Sequence, residues 1–311
     1  MTLPSLPARL DGRTLALETR AVHVTYAGGT AALAGLDLQV PEGAVYVLAG
    51  PNGAGKSTAI KVLLDLVRPR QGTAHVCGVE VARKPALARA HVGYVPEKAE
   101  ISLGWLDAAR YLRHHAAFFD AWDWDYARAL CARLNVPLEP RVGTLSKGGL
   151  RALMLVTALA HRPPVLLLDE PADGLDPLAR ETLAALLVEH MAEWPTTVLW
   201  STHHVHEADR LADHVGLLLG GRLVLQAERG ALDAALRRYR IQAPPGWAGA
   251  PSLNGEVLLR EGSGPDLAWT VWGDEREVAG RITASGATVR DAARLSLEDA
   301  ALAVLRAGSR P

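Results

Sequence analysis

Gly50-Pro51-Asn52-Gly53-Ala54-Gly55-Lys56-Ser57 is the stretch that decides the fold. It fits the pattern G-x-x-x-x-G-K-[ST] of a phosphate-binding loop. The run before it, Ala44-Val45-Tyr46-Val47-Leu48-Ala49, is continuously apolar and reads as a buried strand. The run after it, Thr58-Ala59-Ile60-Lys61-Val62-Leu63-Leu64, reads as a helix. Strand, glycine loop and helix are the context that the motif needs. Gly50, Gly53 and Gly55 let the backbone curl until its N–H groups point inward at an anion. The following helix offers its positive end to the same anion. Lys56 adds a full charge for β- and γ-phosphates, and Ser57 offers a hydroxyl to Mg²⁺.

Outward from the loop, strands alternate with helices. Upstream lie β-like runs at Leu15 to Leu17, Ala21 to Tyr26 and Leu36 to Val40. Downstream, Thr73 to Gly78 and His91 to Pro96 read as strands, and residues 100–160 as mostly helical. Further strands are expected at Val165–Leu168 and Thr196–Trp200, with a helix from about Pro177 to Glu193 between them. Val215 to Leu219 and Arg222 to Leu225, separated by Gly220-Gly221, read as a hairpin. This alternation implies an α/β fold with a parallel sheet. After about residue 228 the texture changes. Ala231–Tyr239 reads as a basic helix, Ala243–Pro251 as a linker, Gly255–Ala284 as strand-like and Leu297–Ala307 as a closing helix. A small α+β accessory domain is expected there.

Composition narrows the class. A chain of 311 residues can bury a large core and form two units. A formal net charge of −1 gives no sign of a nucleic-acid partner. Cys77 and Cys131 stand far apart, which suits a reducing cytosol. Met1 to Arg9 lacks an apolar leader core, and no apolar run approaches the ~20 residues of a membrane helix.

A second constellation joins the loop. Val165-Leu166-Leu167-Leu168-Asp169-Glu170 is an apolar strand ending in two acids, which a parallel sheet delivers to its ligand-binding edge. Asp169 suits Mg²⁺, and Glu170 is placed to polarise an attacking water. Before it comes Leu145-Ser146-Lys147-Gly148-Gly149. After it come Asp173-Gly174-Leu175-Asp176 and then Ser201-Thr202-His203, which closes a strand. With these elements in this order, residues 13–225 resemble the nucleotide-binding subunit of an ABC transporter of exporter type.

The resemblance implies a P-loop NTPase core with an antiparallel β subdomain and a helical subdomain at about 98–160. Residues 1–228 would form the ATP-binding domain and 229–311 the accessory domain. Tyr26 matches the adenine-stacking aromatic, and Gly50, Pro51, Asn52, Gly53, Ala54, Gly55, Lys56, Ser57 and Thr58 match Walker A. Ser146 and Gly148 match the signature that grips nucleotide held by the opposite subunit. Asp169 and Glu170 match Walker B and the catalytic glutamate, Asp176 the D-loop aspartate and His203 the switch histidine. The implied ligands are ATP and Mg²⁺. The implied partners are a second ATPase chain, identical or homologous, and a separate membrane permease. The chain would then lie peripherally on the cytoplasmic face of the membrane.

Departures from the family pattern are Glu97 for the usual Gln, Lys147 for Gly, Gly149 for the closing Gln and Ala172 for a frequent Ser or Thr. Glu97 could still reach Mg²⁺, but it adds a third carboxylate beside Asp169 and Glu170. Trp105, Trp122 and Trp124 read either as core or as the surface that meets the membrane partner. His203, His204, His206 and Glu207 sit at a strand end, which suits zinc poorly. His204 and His206 are expected on the surface of a following helix, His114-His115 on a solvated helix face, and Arg237 to Arg240 at a solvated helix end. Rival readings are a soluble ABC ATPase of ribosome or DNA and a non-hydrolysing regulatory module.

Overall fold

The computed structural model describes residues 14–98, 103–253 and 256–308. The leader reading at Met1 to Arg9 and the start of the Gly255 segment lie outside the described residues. The chain opens with β1 (Leu15–Thr25), which runs through both predicted short runs. Ala21, at φ 46°, lies at a register shift that joins them. β1 pairs antiparallel with β2 (Ala31–Leu36) and β3 (Gln39–Pro41). The single strand expected over Leu36 to Val40 is therefore two. Thr19 Oγ1 splits it by donating to Leu36 O at 2.9 Å and accepting from Leu38 N at 3.0 Å.

β4 (Val45–Ala49) leads through the glycine loop into α1 (Lys56–Leu63). β5 (Gln71–Val76) returns to β1 and pairs with β6 (Val79–Glu80). α2 (Pro85–Ala90) and β7 (Val92–Val95) follow. The predicted helical stretch holds α3 (Ala108–Ala116), α4 (Trp124–Arg133) and α5 (Lys147–Leu159). Next come β8 (Val165–Asp169), α6 (Pro177–Glu193), β9 (Thr197–Thr202), β10 (His214–Leu219) and β11 (Arg222–Glu228).

The central sheet has the order β11-β10-β4-β9-β8-β7. All its pairings are parallel except the β10–β11 hairpin. Every residue of β4, β8 and β9 is buried, which is why β4 and Val165–Leu168 of β8 read as unbroken apolar runs. One face packs on α1 and the β1 sheet, with Tyr46, Leu48, Ile60 and Leu167 in that core. The other packs on the helical stretch through Leu153, Leu168 and Trp200. β4, β8 and β9 thus deliver the loop, the two acids and the switch segment to one edge.

The C-terminal region corrects the sequence reading. α7 (Arg229–Ala235) ends where β12 (Leu236–Gln242) begins. Arg237 to Arg240 therefore lie in a strand rather than at a helix end. The reason is period two: Arg237, Tyr239 and Ile241 are buried while Arg240 and Gln242 are exposed. β13 (Val257–Ser263) and β14 (Asp266–Trp272) bear out the alternation, but Glu275–Ala284 is helix α8, capped by Asp274. β15 (Thr288–Arg294) completes a sheet of order β13-β14-β12-β15. α9 (Leu297–Gly308) is the last element among the described residues. Its Leu297, Ala300 and Val304 share one apolar cluster with Trp200 and Leu217 of the central sheet.

Candidate functional site

The loop is built as its glycines require. Gly53 and Gly55 have φ of 79° and 110°. A Cβ on Gly50 would meet Leu218 O at 2.3 Å, and one on Gly55 would meet Ala32 O at 2.4 Å. Gly55 begins α1 without a side-chain cap, so the first-turn N–H groups face the loop's hollow. Lys56 is 5% exposed. Its Nζ donates to Gly50 O at 2.9 Å and Pro51 O at 3.4 Å, and lies 3.2 Å from Glu170 Oε1.

Glu170 has φ 48°, a left-handed conformation that a long side chain adopts rarely. Its N–H donates to Ser201 O at 3.0 Å. Its Oε2 accepts from His203 N at 3.2 Å and lies 2.9 Å from His203 Nδ1. Asp169 Oδ1 accepts from Ser57 Oγ at 3.1 Å and from Ser201 Oγ. Burial holds the Asp169 carboxyl above its ordinary pKa. Ser201 and Ser57 pull it down, while Glu97 and Glu170 push it up. Uncompensated acid beside an all-oxygen donor set suits a hard divalent cation that arrives with phosphate.

Lys56, Ser57, Glu170 and His203 meet in one cavity of ≈ 580 Å³, within the size range of small-ligand sites, while Asp169, bonded to Ser57, lies outside its lining. Tyr26, Asn52, Gly53, Gly55, Lys56, Ser57, Thr58, Glu97, Glu170 and His203 line it. Tyr26 is 42% exposed at its rim, with its hydroxyl 3.3 Å from Thr58 Oγ1. A larger cleft of ≈ 680 Å³, lined by Glu42, Asp213 and Arg229, opens where β4 and β10 begin. Ligands of open α/β sheets bind at the carboxyl ends of the strands, which makes the first cavity the candidate site.

Ser146, Gly148 and Asp176 are not brought to that cavity. Ser146 caps α5 by accepting from Gly149 N at 3.1 Å. Asp176 caps α6 by accepting from Ala179 N at 2.9 Å. Gly148 and Asp176 line a separate cavity of ≈ 300 Å³ with Leu175 and Leu178. The tryptophans divide. Trp105 is 68% exposed and Trp124 40%, whereas Trp122 packs on the core and stacks on His161. His204 and His206 are exposed as expected, but His204 precedes and His206 sits within a short 3-10 turn, Val205–Glu207, rather than an α-helix. His115 is half-buried on Tyr111, so the expected solvated pair is solvated at His114 alone.

Sequence reasoning missed Ser201, which binds Asp169, and Arg151, whose guanidinium donates to the carbonyls of Glu170 and Glu97. Ser201 could have been found from its place two residues before His203. Arg151 had one signal, a lone cation inside the apolar run of α5.

The sequence pattern of the ABC transporter family matches residues 33–173. A pattern described as an AAA domain, putative AbiEii toxin, matches residues 141–209. The chain is 34% identical over 229 residues to the daunorubicin/doxorubicin resistance ATP-binding protein DrrA of Streptomyces peucetius, covering 72% of this chain and 68% of that protein. It is 36% identical over 225 residues to the Nod factor export ATP-binding protein I of Burkholderia orbicola, covering 70% and 72%. A solved ATP-binding subunit of an ABC transporter superposes with TM-score 0.64 at 30% identity, over 70% of this chain and 92% of that one. A dimeric bacterial ABC transporter cassette shares the fold, with TM-score 0.61 at 21% identity over 68% and 98%. The chain belongs to the ABC transporter family, as an ATP-binding subunit that hydrolyses ATP.

Proposed function

We propose that this subunit powers export, closing on ATP with a second ATPase chain while each rests on a separate membrane permease. One observation carries the reading. Lys56, Glu170 and His203 converge in one cavity, while Ser146, Gly148 and Asp176 stand exposed outside it. Half of the machinery named by the family's motifs therefore has no nucleotide to touch unless another chain presents one. That chain is an identical copy or a homologue. Export is supported by relatives named for drug resistance and for Nod factor export. Among the described residues no helix is long and apolar enough to cross a membrane, and Trp105 and Phe118, on either side of α3, are exposed apolar side chains that a permease could cover. The reading places the chain on the cytoplasmic face of the membrane. Residues 1–228 serve as the motor and 229–311 as an accessory domain.

The chemistry follows from the geometry. Adenine stacks on Tyr26 at the rim, and the phosphates enter the hollow of the glycine loop. Lys56 leaves Glu170 for the β- and γ-oxygens. Glu170, released, orients a water in line with the γ-phosphorus. The bond from the γ-phosphorus to the bridging oxygen breaks as the new P–O bond forms, giving ADP and phosphate. His203 donates toward the γ-phosphate. Ser57 and Asp169, with Glu97 at the rim, are the residues that would hold Mg²⁺, which when bound would neutralise phosphate charge. Purified protein should hydrolyse ATP with Mg²⁺, stop in EDTA, and co-purify with a membrane protein from its native cells. ATP turnover absent both alone and with that membrane protein would overturn the reading.

A further inference from the structure

Arg151 lies one turn into α5, just beyond the Ser146 cap. It is 6% exposed, and a guanidinium so deep needs partners to offset its lost hydration. The two hydrogen bonds found for it among the described residues both go to main chain. One runs to Glu170 O at 2.5 Å and the other to Glu97 O at 2.9 Å. Burial alone draws its pKa down, while the charges of Asp173, Glu97, Asp169 and Glu170 hold the proton on. This one side chain therefore joins the signature helix, the end of β8 and the segment that follows β7.

The bond to Glu170 falls on a strained residue. A left-handed φ at a glutamate persists only where its surroundings over-determine it. Here the amide is held by Ser201 O, and the carbonyl by Arg151 together with the Asp173 N–H at 3.2 Å, so the guanidinium is the side-chain anchor at that end. Fixing both ends of the residue aims its carboxylate at Lys56 Nζ and His203 Nδ1. Glu97 is an exposed bend at the entrance to the helical stretch, so displacement of that stretch pulls on the same guanidinium.

We propose that Arg151 is a positioning residue that sets the backbone of Glu170 and ties it to the Glu97 segment, so that the helical stretch governs the attacking water. The proposal rests on the hydrolytic reading of Glu170. A planar fork can hold two carbonyls at once, which a single ammonium does poorly.

The test uses full-length Arg151→Met and Arg151→Lys. A misplacement of the Glu170 carboxylate predicts kcat down ~30-fold in Arg151→Met, with KM for ATP within ~3-fold. Arg151→Lys, which keeps charge and one bond, should lose ~5-fold. In Arg151→Ala, added guanidinium should restore part of kcat. Placed on Glu170→Gln, Arg151→Met should slow hydrolysis no further, because both changes remove the same alignment. Wild-type kcat in Arg151→Met overturns the proposal. So does a loss repeated in full on the Glu170→Gln background, or a rise in KM matching the fall in kcat. If Arg151→Met fails to fold, Arg151→Lys decides: wild-type kcat there overturns it. Near-normal turnover by Glu170→Gln alone instead removes the hydrolytic reading itself, before Arg151 is considered.

Discussion

Lys56, Asp169 and Glu170 are each at most 6% exposed, and every one has a charged or hydroxyl partner within its own chain. Ser146, Gly148 and Asp176 are exposed, and the bonds of Ser146 and Asp176 merely cap their own helices. The first group is a chemical site awaiting a substrate. On the proposed reading, the second is a docking edge for another chain. The difference fits the proposal that one chain carries two halves of different sites rather than one whole site. Substitutions in the two regions should therefore fail in different ways.

The largest effect is expected at Glu170. Glu170→Gln keeps size and hydrogen bonding but loses the acceptor for the water's proton, so turnover should drop by ~10²–10³ with ATP still bound. Steady-state hydrolysis near wild type would remove Glu170 from the buried half. Next come paired losses that separate the halves. Lys56→Ala should weaken ATP binding by the isolated chain at least ~10-fold, since a charge-assisted phosphate contact is lost. Ser146→Arg should leave that affinity within ~3-fold yet abolish turnover, because the arginine blocks the docking edge. Titration with a fluorescent ATP analogue reads both. Equal affinity losses in the two variants would break the comparison.

A third test probes the interior at the opposite, C-terminal ends of α5 and α6. Burial lowers the pKa of His161 and His190 to about 4, with His190 and Arg162, respectively, adding to the shift. Both are neutral in the folded chain and titrate near 6.5 once unfolded. The unfolded chain thus binds more protons, and stability falls as pH drops from about 6.5 toward 4. At pH 5 each should cost on the order of 1–2 kcal/mol relative to pH 7. Urea unfolding should show His161→Phe losing less stability over that range than the wild type. Parallel losses would contradict the assignment.

The smallest effect is expected at Glu97, exposed at the rim where water screens charge. Glu97→Gln should bind ATP as well as wild type or up to ~3-fold tighter at low Mg²⁺, because like-charge repulsion is relieved. Superimposable Mg²⁺ titrations would show that this carboxylate does not feel the nucleotide.

The contrast between regions also explains what the sequence revealed. The apolar runs of β4 and β8 and the Asp176-Pro177 start of α6 carry local signals, and their positions follow from those signals alone. The segment Leu236-Arg237-Arg238-Tyr239-Arg240 carries two, since a basic helix and a half-buried strand share its composition. Pairing with β14 and β15 decides for strand, and that is a tertiary fact. The buried half of the site was legible because loop and acids are adjacent to their own strands. Arg151 and Ser201 act through contacts between elements distant in sequence, 19 and 32 residues for their bonds to Glu170 and Asp169. Trp105 and Trp122 likewise look alike in sequence and part only once the helices pack.

The central claim is that the exposed half is completed by a second chain. Light scattering of Glu170→Gln protein at saturating ATP and Mg²⁺ tests it most directly. The account predicts a shift from monomer to dimer, reversed by EDTA and absent when Ser146→Arg is added. A monomer under those conditions, both alone and mixed with the homologous ATPase chain of its own cell, would contradict it.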